Sequence, residues 1–478
     1  MSYYRHAAAI GRLGGTPRPA ARPARWVRDE RFGLLAGALV WTLVVLMIVP
    51  EGFNYGGLTV AYGPSEGGVV SRTLWLGLLG ISSVLVLWRG GLSWLVLRST
   101  NLFLFVFAAL AVASIAWSIE PVLTIRRLIR LLTFMMVALA FVLVAWHRVR
   151  FQNVVRPILT IMLFGSIVFG LAFPQLAIHQ DTSTELAGAW RGLTNHKNTL
   201  GALADLGLIL WFHAWLTREV RLLSALAGGA IALACLLLSR SATSLVTAIF
   251  VSLFMLLLLR APRNVRRWMP TLIGLFIAAL AIYAMVILRV LPGTDMLLSP
   301  IMRFTGKDMS FTGRSEIWAI MLEHIRFAPL LGTGYGAYWV GPVPASPSYE
   351  FVLRMWFYPG SAHNGYLEMV NDLGVAGLLC LCGYLLLFVR HSLKLLHLDR
   401  SQGALYLALF FQQAISNLSE THWLSVLNVD FVIVTLATFA LARAHLQEQM
   451  MRHYGQQAGP AAAAAAPVLV GEVPAHEL

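Results

Sequence analysis

The chain has 478 residues, of which 58% are hydrophobic and only 12% charged, and its mean hydropathy of +0.71 is far from that of a soluble globular domain. Water is thereby excluded as the main solvent. The net charge of +14 sits on arginines scattered between apolar runs, in no single stripe or tail, which argues against nucleic acid as a partner.

Residues 1–31 hold Arg5, Arg12, Arg18, Arg22, Arg25, Arg28 and Arg31 among Pro and Ala, and predict a disordered, basic cytoplasmic tail. The run Phe32–Pro50 is too long for a signal-peptide core and lacks a small-residue cleavage site after it, so it reads as a permanent first span. Further spans are predicted at Thr73–Trp88, Leu102–Trp117, Leu128–Trp146, Ile158–Phe173, Thr199–Leu216, Leu222–Leu238, Thr243–Leu259 and Thr271–Val290. After a long segment over 291–372 come Leu373–Val389, Ala404–Ile415 and Val426–Leu441, then a low-complexity cytoplasmic tail over 442–478 that includes Ala461–Ala466. The expected fold is all-α, a polytopic transmembrane bundle of about twelve helices. Cys235, Cys380 and Cys382 lie inside apolar runs, so they offer neither a disulfide framework nor a metal-ligand spacing and read as packing residues.

With the N-terminus inside, the cytoplasmic breaks hold Arg89 and Arg98, then Arg148, Arg150 and Arg156, Arg218 and Arg221, Arg260, Arg263, Arg266 and Arg267, and Arg390, Lys394 and Arg400. The outward breaks should be poor in arginine, yet they carry Arg126, Arg127 and Arg130, then Arg191 with Lys197, then Arg240. The long outward segment adds Arg303, Lys307, Arg314, Arg326 and Arg354, and its Trp, Tyr and Gly content predicts a folded, partly helical element.

Several of these residues suit an anion. Arg126 and Arg130 are a helical turn apart with Arg127 beside them, and arginine's planar fork matches phosphate oxygens; snorkelling to outer headgroups is the plainer alternative. The stretch Arg191 to Asn198, with His196 and Lys197, leads into a helix that Asn195 or Asn198 could cap, so a positive helix end adds to two cations; a basic interfacial anchor is the alternative. Arg240 is either a turn charge or a further ligand. Arg314 opens a helical pattern carried by Ile317, Ile320, Met321 and Ile325. His363, before an apolar helix, is the candidate for proton transfer, although a lone interfacial histidine is often structural. Glu420 could orient His363, pair with an arginine or bind a sugar hydroxyl. Asp205 and Asp430, inside spans, read as helix–helix hydrogen-bonding groups in preference to an ion path.

The ordered set resembles the O-antigen ligase and polysaccharide polymerase superfamily of bacterial inner-membrane glycosyltransferases. It comprises Trp117-Ser118-Ile119-Glu120-Pro121 with Arg126-Arg127, Arg191-Gly192 with His196-Lys197-Asn198, Ser239-Arg240, Gly313-Arg314 with Ile317-Trp318, Gly332-Thr333-Gly334-Tyr335-Gly336, Ala362-His363-Asn364-Gly365-Tyr366 and Ser419-Glu420. The wording around His196, Arg314 and Glu420 is closest to exopolysaccharide repeat-unit polymerases. The resemblance implies a GT-C-like bundle that takes glycan from undecaprenyl diphosphate on the periplasmic face and passes it to an acceptor glycan or to lipid A core. It implies catalytic roles for His363, Arg191 and Arg314, and diphosphate binding by Arg126, Arg127, Arg130, Arg191, His196, Lys197, Arg240 and Arg314. Asn364, Tyr366 and Glu420 would orient the acceptor, His363 would activate it for inversion, and arginines would replace the metal of Asp-x-Asp enzymes, with no cofactor. Membrane lipids, a flippase and a chain-length regulator are the expected partners. The rival of another class is a transporter of the same lipid-linked glycan, which would need no base at His363; no internal repeat and no polar cluster halfway across a span favours it.

Overall fold

The computed structural model describes residues 23–54, 59–60, 69–144, 146–180, 186–287, 314–425 and 428–457. Arg5, Arg12, Arg18, Arg22, Arg303, Lys307 and the Ala461–Ala466 run lie outside the described residues.

Over the described residues, each of the twelve predicted runs overlaps one of the chain's helices. These are α1 (Pro23–Gly52), α2 (Val69–Trp88), α3 (Gly90–Ser99), α4 (Leu102–Ala113), α5 (Pro121–Val142), α6 (Arg150–Ala172), the single turn α7 (Pro174–Ala177), α8 (Lys197–Leu216), α9 (Leu222–Leu238), α10 (Ala242–Arg260), the turn α11 (Arg263–Arg266) and α12 (Met269–Ile287). The long segment contributes α13 (Arg314–Ile325) and α14 (Glu350–Met355), and the bundle closes with α15 (Gly365–Leu398), α16 (Arg400–Ser416) and α17 (Val429–Gln457). By length and composition, α2, α6, α8, α10, α15 and α17 can each cross a membrane, and α3 with α4, bent by 99°, make a seventh candidate. Helix α5 falls outside that set because Arg126, Arg127 and Arg130 interrupt its apolar sequence, and α16 because it has only 17 residues.

Several boundaries differ from the sequence reading. Helix α1 starts at Pro23, inside the stretch expected to be a disordered tail, and α17 runs to Gln457, sixteen residues beyond the predicted span. The break holding Arg89 and Arg98 contains a helix of its own, α3. The tenth span begins at Gly365, not Leu373, so the long segment ends just after His363.

That last shift has a physical cause at Gly374, whose φ of +64° breaks α15. The segment 329–336 laces across the break. Val375 and Ala376 donate to the Pro329 and Leu330 carbonyls at 2.9 and 3.2 Å, while Thr333 and Gly334 donate to the carbonyls of Asn371 and Asp372 at 2.9 Å each. Backbone groups freed by a broken helix are tolerated at membrane depth only when protein satisfies them in this way. Tyr335 anchors the strap, its hydroxyl donating to the Leu424 carbonyl at 2.6 Å and its N–H to Ser114 Oγ at 3.0 Å.

A continuous apolar core, including Phe107, Phe134, Phe141, Phe151, Tyr384, Tyr406, Phe411, Phe431 and Phe439, fills the bundle. The segment between α12 and α15 builds a small core of its own around Ile317, Trp318, Met321, Tyr338, Trp339 and Phe351, as its composition predicts. Cys235 and Cys380 are buried, with thiols directed at the Leu163 and Phe103 carbonyls, whereas Cys382 is exposed.

The two ends of the bundle are chemically distinct. At one end arginines cap helices: Arg89 donates to the Leu143 carbonyl, Arg260 to Leu216, Arg400 to Leu258 and Arg443 to Val142, while Arg156 pairs with Glu219 at 3.3 Å. At the other end lie the start of α8, the α9–α10 turn, the start of α15 and the loop after α16.

Candidate active site

Helix α15 supplies its own cap. Asn364 Oδ1 accepts from the Tyr366 and Leu367 amides at 3.0 Å each, satisfying two of the donors that a helix start leaves open. The residue before it, His363, is left-handed with φ +47°, a conformation uncommon outside glycine and one that carries a local backbone cost. His363 Nδ1 lies 3.1 Å from Glu420 Oε2.

Glu420 arrives from the loop after α16, and Asn417 folds that loop. Its Oδ1 accepts from the His422 and Trp423 amides at 2.9 and 2.7 Å, and its own carbonyl accepts from Gly365 N–H at 2.9 Å. A side chain at residue 365 would overlap the Asn417 amide, so glycine is required where loop and helix start touch. Farther along, the buried His422 Nδ1 sits 3.2 Å from Asp430 at the start of α17. Burial alone would lower the His422 imidazole, but the Asp430 carboxylate and its hydrogen bond raise it above its ordinary value.

The other oxygen of Glu420 takes two more donors, Arg314 Nη2 at 2.7 Å and Asn198 Nδ2 at 2.6 Å. Helix starts α8 and α13 thus converge on one carboxylate that also holds the histidine before α15. Burial would raise the Glu420 carboxyl, yet the charge and hydrogen bond of His363, then Arg314 and His196, hold it well below the ordinary carboxylate range. A carboxylate has no proton to donate, so Nδ1 of His363 is the donor in this pair, which leaves Nε2 as the ring nitrogen for an incoming hydroxyl. This is the orienting logic of a carboxylate behind a general base.

A row of imidazoles extends from this point. The His196 ring centroid is 6.2 Å from that of His363 and 5.3 Å from that of His179. The cap of α8 is His196, whose Nδ1 accepts from Asn198 N–H at 3.3 Å, in place of the Asn195 or Asn198 expected from sequence. Burial, only partly offset by Glu420, presses the His196 imidazole down to about 3, so it stays neutral at working pH and offers a hydrogen bond instead of a charge. His179 Nε2 accepts from Lys197 N–H at 3.3 Å.

The remaining predicted residues fall into distinct settings. Arg191 is buried and donates through Nε to the Leu176 carbonyl at 2.7 Å. Arg240, left-handed with φ +50°, is exposed in the turn between α9 and α10 and donates to the Ala187 carbonyl at 2.9 Å. In α5 the three arginines diverge: Arg126 is exposed, Arg130 lies over the Trp75 ring at 5.3 Å, and Arg127 is buried and donates to the Trp339 carbonyl at 3.3 Å. Asn364 and Tyr366 are engaged in building the helix start, the Tyr366 hydroxyl donating to the Ala414 carbonyl at 3.0 Å. Arg354 pairs with Glu323 and Glu350 on the surface of the segment. Among the described residues no group of three His, Cys, Asp or Glu is placed to hold a metal ion.

Sequence reasoning missed Asn198 as a Glu420 ligand, and it missed His179, Asn417, His422, Glu368 and Asp372. Asn198 stands in the polar run that leads into α8, so its position carried a signal; the contacts of Glu368 with Ala362 and of His179 with Lys197 arise only from the fold.

Residues 227–382 match the family model described as O-antigen ligase. The chain is also 32% identical over 336 residues to the exopolysaccharide production protein ExoQ of Rhizobium meliloti (strain 1021), an alignment covering 66% of this chain and 72% of that protein.

Proposed function

The chain belongs to the O-antigen ligase and polysaccharide polymerase superfamily, and from that premise we propose that it transfers glycan from undecaprenyl diphosphate to an acceptor hydroxyl, with His363 as the base. The observation that carries this reading is the single carboxylate, Glu420, held by Arg314 and Asn198 on one oxygen and by His363 on the other. Nε2 of His363 takes the acceptor hydroxyl's proton as that oxygen bonds to the anomeric carbon. The bond from this carbon to the diphosphate breaks, and the electron pair leaves with the lipid diphosphate, giving inversion. Arg191, Arg240 and Arg314, with Lys197 and the N-terminus of α8, lie at the same end of the bundle and offset the charge that develops on the leaving group. In this reading cations replace a metal.

The arginine-capped end is cytoplasmic by the positive-inside rule, which puts the His363 end on the periplasmic face of the inner membrane and both termini inside. The likeness to a protein named for exopolysaccharide production favours a repeat-unit polymerase, with acceptor glycan as co-substrate, over transfer to lipid A core. A flippase would supply the donor and a chain-length regulator would act on the product.

The test uses purified protein in nanodiscs, an undecaprenyl-diphosphate-linked oligosaccharide and excess chelator, with His363→Ala in parallel. A chelator-resistant ladder of longer lipid-linked products, lost in the variant, is the expected result. Product formed only when lipid A core is added would make it a ligase. No transfer to either acceptor, with lipid-linked glycan still moving across a bilayer, would replace the enzyme by a transporter.

A further inference from the structure

The residue that precedes His363 is clamped from both sides by side chains, one on its N–H and one on its carbonyl. Ala362 is fully buried; its N–H donates to Glu368 Oε2 at 2.7 Å and its carbonyl accepts from Trp318 Nε1 at 2.9 Å. His363's own N–H has only a long contact, 3.4 Å, to Ser361 Oγ. The left-handed backbone of His363 is a local cost that neighbouring contacts must hold in place, and the two on Ala362 are the short ones.

Glu368 is one turn into α15 and buried, and both its oxygens are occupied, the second by Trp339 Nε1 at 2.6 Å. A buried carboxyl group is costly without hydrogen bonds, and each Glu368 oxygen accepts one. Arg127 reaches the same cluster by donating to the Trp339 carbonyl. Gly336 packs against Arg127 so closely that a side chain there would overlap the guanidinium, and its N–H donates to the neighbouring carboxylate Asp372 at 2.7 Å. Arg127, Trp339, Glu368, Ala362 and His363 therefore form one connected series, which ties α5 and the residues just after the 329–336 strap to the backbone of the base.

We infer that Glu368 is a positioning residue for His363: held by Trp339, it fixes Ala362 and thereby points the imidazole between Glu420 and the acceptor. Arg127 acts in this support and not on the donor diphosphate. The inference rests on the reading of His363 as the base.

The test is a set of single-turnover transfer rates, with enzyme in excess so that residual activity is measurable, for wild type, Glu368→Gln, His363→Ala and the double variant, each checked for folding by its thermal transition. Glutamine keeps an acceptor for Trp339 but presents an NH2 to the Ala362 N–H. Misplacing a reacting group by about 1 Å costs roughly 10²-fold, so Glu368→Gln should slow the chemical step by about 10- to 100-fold at unchanged donor KM. The double variant should be no slower than His363→Ala alone, because a residue acting through His363 has nothing left to position. A Glu368→Gln rate within about threefold of wild type, or a double variant slower than His363→Ala by the full single-variant factor, overturns the inference. If Glu368→Gln does not fold, Trp318→Phe removes the other clamp: a slowing of at least about fivefold that vanishes in the His363→Ala background supports the inference, and a wild-type rate overturns it. Wild-type transfer by His363→Ala alone would instead remove the function reading beneath it, a result distinct from those above.

Discussion

Glu420→Gln removes one negative charge and leaves the shape nearly intact. In the native protein this carboxylate receives His363 Nδ1–H, Arg314 and Asn198 at 3.1, 2.7 and 2.6 Å. Glutamine has one acceptor oxygen for those three donors and turns an NH2 toward at least one of them. Removing one partner of a fully buried pair costs about 3–5 kcal/mol, and exposed pairs are worth about 0.2–1 kcal/mol. His363, Arg314 and Glu420 keep 20%, 18% and 16% of their side-chain exposure, which places the loss between these limits, at about 2–3 kcal/mol. At 1.36 kcal/mol per decade this is a drop of roughly 10²-fold in kcat, with little change in donor KM because the contact is to the base and not to the substrate. The assay is initial-rate glycan transfer in nanodiscs with the lipid-linked donor varied. A folded Glu420→Gln protein with kcat within about fivefold of wild type would refute the idea that the carboxylate orients the base.

Because Arg314 and His363 share that carboxylate, Arg314→Met combined with Glu420→Gln should lose less than the product of the two single effects, with a coupling on the order of 1–3 kcal/mol measured in a double-mutant cycle of transfer rates; independent effects would separate Arg314 from the site. The Glu420 carboxyl is held below its unfolded value of about 4.3, so its stabilising contribution is fully present above that pH and is lost as pH falls through the lower folded value. The difference in melting temperature between wild type and Glu420→Gln should therefore be flat from pH 5 to 8 and shrink only below about pH 4; a difference that closes by pH 6 would contradict this. Gly374→Ala would force a side chain onto the Leu330 carbonyl at a left-handed position, and should destabilise the fold by about 3 kcal/mol or more, read as a lowered melting temperature in detergent; an unchanged transition would mean that the break in α15 is not needed.

The sequence by itself determined the solvent, the fold class and the end of the bundle where charge collects. Apolar runs of about twenty residues satisfy their backbone in a membrane as helices, being too long for barrel strands, and over the described residues each such run overlaps a helix. Arg191, Arg240, Arg314, His363 and Glu420 were legible as exceptions to a charge rule or as polar motifs at helix starts. Tertiary structure alone decided who meets whom. Glu420 could have paired with an arginine, a sugar or His363, and the Asn417-folded loop gives it two of these at once. Arg126, Arg127 and Arg130 look alike in a four-residue helical spacing, yet rotation of α5 exposes the first, buries the second against Trp339 and lays the third on Trp75. Glu368 was invisible as a positioning group because its partners, Trp339 and Ala362, are brought to it by the strap across Gly374. Periodicity records which face of a helix is apolar, whereas a shared carboxylate depends on the crossing of elements far apart in the chain, and that is set by packing.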